Sequence, residues 1–319
     1  MPRLSITHET RYEYASRVEL AHHLAYLRPL DTPYQSVEAY ALSVSPTPSF
    51  TSEDHDPYGN ARVFFSHYAP HRSLLVKAQS TVRLLERYGG IDLAAGPPWE
   101  TVQASLRYEA GGAWLEPTEY VFTSPYVLLH AELRDYALAS FTAGRPLRAA
   151  AMELMHRIHA DFTYEAESTD IATPLLEAFQ MRRGVCQDFA HVMISCLRSL
   201  GLAACYVSGY LLTTPPPGRP RLVGSDASHA WASVYCPELA ACGSWLDLDP
   251  TNDLVPALGH VTLARGRDYG DVTPLRGVIR GGGDHELTVA VSVEPLDGPE
   301  APGAPGTSTV PETPAMSRG

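Results

Sequence analysis

The chain is 319 residues long, 45% hydrophobic and 19% charged, which suits roughly two globular domains and is too apolar for a disordered protein. Its net charge of −12, from 24 basic and 36 acidic residues, argues against nucleic acid or an anionic membrane as partner, since both need a basic face. Five cysteines with no CxxC pair argue against a disulfide framework or a four-cysteine zinc site, and no run approaches the roughly 18 apolar residues of a membrane helix. The opening MPRLSITHETRYEY lacks the apolar centre of a secretory signal, so the cytoplasm, where thiols stay reduced, is the expected compartment.

Residues 3–86 read as strands. ITHETRYEY and VEAYALSVSP alternate, and DPYGNARVFFSHY carries a turn, Pro57-Tyr58-Gly59-Asn60, ahead of an aromatic run. Prolines at 29, 33, 46, 48, 57 and 70 are spaced too closely for long helices. An antiparallel β domain ending near LLVKAQSTVRLLE follows, and the Gly/Pro-rich residues 87–125 read as a connection. The acidic Glu53-Asp54-His55-Asp56 reads as a solvated turn.

Beyond Pro125 the period changes. Segments 128–142 and 146–160 place apolar residues three and four apart, Thr173-Pro174 resembles a helix start with Thr as cap, and a third helix is predicted over about 186–200. Three strands follow, ACYVSGYLL, SHAWASVYC and SWLDLDP, and HELTVAVSVEP alternates as a last one. The loop 213–227 is either a lid or an uninvolved surface loop, and residues 297–319, with five prolines and four glycines, read as a disordered tail. The fold class is α+β: a β-rich domain and connection over 1–125, then helices packed on an antiparallel sheet over 126–296.

GVCQDFAHVMISCLRSLG is the most informative segment. On a helix, Cys186, Ala190, Met193, Leu197 and Leu200 form one apolar stripe that faces the core, which puts Cys186 at the first turn. Unpaired N–H groups and the helix dipole favour negative charge there, and a thiolate is the nucleophilic form of cysteine. A nucleophile needs a base, and the base needs an orienting acceptor. His229 begins a strand and shares a face with Trp231, Ser233 and Tyr235. Asp247 and Asp249 alternate with leucines on the following strand, and a carboxylate there is costly unless it has a partner. Either aspartate would satisfy that need by accepting the Nδ1–H of His229. Cys, His and Asp in this order, on a helix packed against a sheet, are the parts of a papain-like acyl-transfer site. Asp188 supports the positive helix end.

GVCQDFAHVMISCLRSLGLAACYVSGYL, ASHAWASVY and WLDLDPTND resemble, in order and spacing, the transglutaminase-like superfamily; DPYGNARVFF resembles the domain that precedes its bacterial members. The segment HVTLARGRDYGDVTPLRGVIRGGGDHELTVAVSVEP resembles the family's carboxyl-terminal part, which extends the likeness over residues 3–295. The resemblance implies a papain/transglutaminase-like core with Cys186 as nucleophile, His229 as general base and Asp249 as orienting acid, attacking peptide or glutamine carboxamides. Tyr164 is the expected further oxyanion donor and Trp231 an expected wall of the site. The reaction stays open between peptidase or amidase and transglutaminase, with a catalytically inactive peptide-binding module as the alternative. No HExxH, P-loop or dinucleotide fingerprint is present, so neither metal nor cofactor is expected. Expected partners are a peptide or protein substrate, an external amine acceptor, since Lys77 is the single lysine, and a peptide-modifying pathway.

Overall fold

The computed structural model describes residues 1–107, 110–112, 114–165, 173–213 and 228–296. The expected lid, apart from Thr213, and the expected tail lie outside them. Strands β1 (Arg3–Ala25), β2 (Gln35–Ser45), β3 (Phe50–His55), β4 (Ala61–His67) and β5 (His71–Leu84) form an antiparallel sheet in the order β2-β5-β1-β4-β3. Alternation makes Leu4, Ile6, His8 and Thr10 buried along β1, and a register shift between Val18 and Leu20 moves the buried set to Ala21, His23 and Ala25. An extra residue inserted in a strand flips the side-chain phase in this way. The acidic segment read as a turn lies mostly in β3, with Glu53, Asp54 and His55 exposed.

Helices α1 (Trp99–Ser105), α2 (Ala131–Leu138) and α3 (Leu147–Asp161) come next, and short β6 (Thr163–Tyr164) pairs in parallel with β7 (Arg183–Gly184) across α4 (Leu175–Met181). α4 begins at Leu175 with Pro174 as its cap residue, one position beyond the expected start. Helix α5 (Cys186–Ser199) then packs against a four-stranded antiparallel sheet, β10-β9-β8-β11, made of β8 (Ala204–Leu211), β9 (Ser228–Tyr235), β10 (Trp245–Leu248) and β11 (His260–Gly266). The single apolar stripe predicted for α5 is a correction: every residue from Asp188 to Arg198 is buried, because α2, α3 and α4 cover the sides that the sheet does not.

The chain closes by returning. After α6 (Tyr269–Val272), strands β12 (Leu275–Gly281) and β13 (His285–Pro295), the latter the last strand expected from the alternation of HELTVAVSVEP, both pair with β1. The other face of β8 and β11 packs on this first sheet: Tyr210, Val261 and Leu263 share a core with Leu4, Ile6, Val82, Leu84, Val291 and Val293. The DPYGN turn adds a polar clamp. Asp56 accepts from the Asn60 backbone N–H and side-chain amide, and Asn60 exchanges hydrogen bonds of 2.6 and 2.8 Å with the backbone of Arg265.

Candidate active site

Cys186 stands where β7 turns into α5. The side chain of Asp188 reaches back to accept the Val185 N–H at 2.8 Å, satisfying a backbone donor at the helix start. Gly184 allows this turn, because a Cβ there would lie 2.5 Å from the Asp188 carboxylate oxygen. The cysteine is half-buried and opens onto a cleft of about 250 Å³.

His229 begins β9 and is 7% exposed. Its Nε2 lies 2.7 Å from Asp249 Oδ2, and His229 lines the same cleft as Cys186, near enough for the two side chains to act on each other electrostatically. With Nε2 taken by the carboxylate, Nδ1 is the nitrogen available to the sulfur, the reverse of the expected tautomer. Strand register explains the correction. Continuing the pairing of Asp247 with Ser233 would set Asp249 opposite Trp231, so His229 is a diagonal neighbour. Diagonal pairs are separated by about 7–8 Å between Cα atoms, a gap better bridged by the far ring nitrogen.

Asp249 is fully buried and saturated with donors. Oδ1 accepts the backbone N–H groups of Thr251 and Asn252, and Oδ2 accepts from the Asn252 side chain at 2.8 Å and His260 Nε2 at 3.1 Å as well as from His229. Burial works against both charges of the pair. The hydrogen bond to Asp249 and the charges of Asp249 and Cys186 nevertheless raise His229 to about 10, and the hydrogen bonds from His229, His260 and Asn252 with the field of His229 hold Asp249 below the usual carboxylate range. The imidazolium–carboxylate form is therefore favoured.

Asp247, the other aspartate weighed from the sequence, serves elsewhere. It is buried among Arg87, Arg265 and Ser233, and the two guanidiniums outweigh burial and lower its carboxyl. Trp231 lies beneath His229, fully buried and with ring centroids 6.1 Å apart, so it is part of the core and does not line the cleft. Tyr164 is 55% exposed on β6 beside Gly184; it lies outside the lining of the cleft, although burial and then the field of Cys186 raise its phenol.

Three participants were missed from the sequence. His260 and Asn252 both bind the Asp249 carboxylate, and Tyr206, 2% exposed, lines the cleft with Cys186. Asn252 follows Asp249 closely enough for a side-chain turn to be guessed, whereas Tyr206 reads as one more aromatic in an apolar strand, and His260 carries no local signal. Nor did the sequence foresee that donor atoms of His229, Asp249 and His260 lie within 4.8 Å of one another, a spacing that would suit a metal ion. In the structure the shared carboxylate oxygen already accepts from both imidazoles.

Comparison with known proteins agrees with this layout. Residues 4–83 match the bacterial transglutaminase-like N-terminal region, and residues 137–250, which contain Cys186, His229 and Asp249, match the transglutaminase-like superfamily. An uncharacterized protein of Mycobacterium tuberculosis is 40% identical over 300 residues, covering 93% of this chain and 94% of its own. One from Mycobacterium leprae is 29% identical over 300 residues, 93% of this chain and 100% of its own. Among solved structures, a protein of Cytophaga hutchinsonii described as a candidate cysteine protease has a TM-score of 0.70 at 21% identity, covering 94% of this chain and 93% of its own, and so shares the fold.

Proposed function

This chain belongs to the transglutaminase-like superfamily, and from that membership and the geometry of its site we propose that it is a thiol-dependent acyl-transfer enzyme acting on peptide or glutamine carboxamides. The observation that carries the reading is the His229–Asp249 hydrogen bond with Cys186 and His229 lining one cleft. In the proposed reaction the Cys186 sulfur forms a bond to the carbonyl carbon. The oxyanion is met by N–H groups of the first turn of α5, a preorganised donor of this kind contributing about 2.7–4 kcal/mol. The C–N bond breaks as His229 gives its proton to the leaving amine, and a thioester is left. Water or an amine then attacks, His229 takes its proton, and the sulfur leaves. Thiol, imidazole and water balance the hydrolytic cycle, so no cofactor is assigned.

Hydrolysis is placed ahead of crosslinking. Lys77, the single lysine, is held 2.7 Å from Glu9, so an amine acceptor would come from outside the chain. Five free cysteines support a reducing, cytoplasmic setting.

Iodoacetamide at pH 6 tests the reading. Cys186 is expected to label faster than a free thiol, and His229→Ala to remove the difference; labelling no faster than a free thiol, unchanged by His229→Ala, would overturn it. A glutamine peptide with a fluorescent amine then divides the reactions: ammonia release without incorporation means deamidation, incorporation means transamidation, and new peptide amino termini mean proteolysis.

A further inference from the structure

The far wall of the cleft belongs to the amino-terminal sheet. In the antiparallel register of β1 and β13, His8 faces Val291, Thr10 faces Val289 and Tyr12 faces Leu287. Directly opposite residues share a sheet face, and five of these six side chains line the cleft, the exception being Val291. The pairs form a ramp. His8 and Val291 are 1% and 2% exposed at the contact with the core sheet, whereas Val289 and Leu287 are 47% and 50% exposed. Pro274 and Leu275 extend the apolar surface on the same cleft. Among the described residues that line it there is no Asp, Glu, Lys or Arg. His8 adds no charge near neutrality, since burial lowers it to about 4.

Half-exposed Leu and Val side chains on the wall facing the thiol favour an uncharged, apolar occupant on that wall, because a charged one would lose water there without meeting a counter-charge among the described residues, the His229 imidazolium lying on the thiol side of the cleft. We propose that β1 and β13 form the acyl-donor subsite, in which Tyr12, Leu287 and Val289 accept an uncharged apolar side chain next to the carboxamide that Cys186 attacks. The amino-terminal domain is then a specificity element, and the strand that completes it comes from the far end of the described chain. This proposal rests on the thiol acyl-transfer reading, but the subsite can be probed without turnover.

The test alkylates Cys186 of the whole chain with N-ethylmaleimide and N-hexylmaleimide, each rate divided by that of glutathione. The expected hexyl-to-ethyl ratio is about ten, as partial burial of a short alkyl chain would give, falling toward one in Leu287→Asp. Val289→Ser, a milder change, covers the case in which Leu287→Asp does not fold. A ratio near one in the unaltered protein, or a ratio unchanged in folded variants, overturns the subsite. If Cys186 reacts fast but without chain-length preference, the subsite fails and the acyl-transfer reading stands. If it reacts no faster than glutathione with either reagent, the acyl-transfer reading fails, and the ratio still decides the subsite. With turnover in hand, a glutamine peptide flanked by Leu should exceed one flanked by Glu in kcat/KM by about tenfold, the difference lying in KM; equal values would again overturn it.

Discussion

Two buried aspartates, two positions apart on one strand face, do different work because different cations surround them. Asp249 holds the imidazole of His229, whereas Asp247 neutralises Arg87 and Arg265. Asp249→Ala is expected to lower turnover by about a hundredfold or more, the lower range for acid–base catalysis, while the fold survives. Asp247→Ala leaves two guanidiniums without their carboxylate and should cost about 3–5 kcal/mol of stability in urea unfolding. The reverse pattern would move the catalytic role to Asp247. The ion pair also carries a pH signature. His229 is raised from its ordinary 6.5 to about 10, so its contribution to stability is complete below about 6.5 and lost as pH rises through 10. Asp249 is lowered from 3.8, so its contribution is present above that value and lost as pH falls through the lowered one. The drop in Tm caused by Asp249→Asn should therefore be largest between about pH 5 and 6.5 and shrink toward pH 10. A drop of constant size across that range would rule out the charged pair.

At the scale of elements, the turn into α5 decides whether the thiol is presented at all. Gly184→Ala would press a methyl group into the Asp188 carboxylate that caps the helix. A cost of about 1–3 kcal/mol in urea unfolding is expected, together with slower iodoacetamide labelling of Cys186. Lower stability with unchanged labelling would separate the cap from the nucleophile. The same helix shows how far a hydrophobic pattern can be read. Its first turn and its inner stripe were legible from Cys186 to Leu200, because helical period and terminal chemistry are local properties. Its burial on the remaining sides was not, because polar residues such as His191 and Arg198 look like a solvent face until their partners are known. His191 accepts the Tyr269 N–H, and Arg198 donates to the carbonyls of Phe122, Ala204 and Arg267. Strand β1 was read only through its first half for a related reason: alternation stops announcing a strand where an irregularity shifts its phase.

At the scale of the molecule, the contacts between the two sheets predict one cooperative unit. They share a core, Asn60 clamps β11, and Arg87, from beyond β5, pairs with Asp247 inside the second sheet. The four tryptophans all lie between residues 99 and 245, so their fluorescence reports the half that carries α5 and the second sheet, whereas far-UV circular dichroism reports both sheets. The two probes should follow a single urea transition, and Arg87→Ala should shift both together by about 3–5 kcal/mol. Two separated transitions would mean that the halves fold independently. Strand and helix periods, the cysteine at a helix start, and a histidine and two aspartates on successive strands were determined by the sequence alone, since each depends on residues within a few positions of one another. Residue chemistry left two aspartates open and the family resemblance chose Asp249, whereas tertiary structure alone decided which ring nitrogen it meets, that His260 joins them, and that β13 crosses back to wall the cleft. Those outcomes depend on strand register and on contacts between residues at opposite ends of the described chain, such as Thr10 with Val289, which local pattern does not encode.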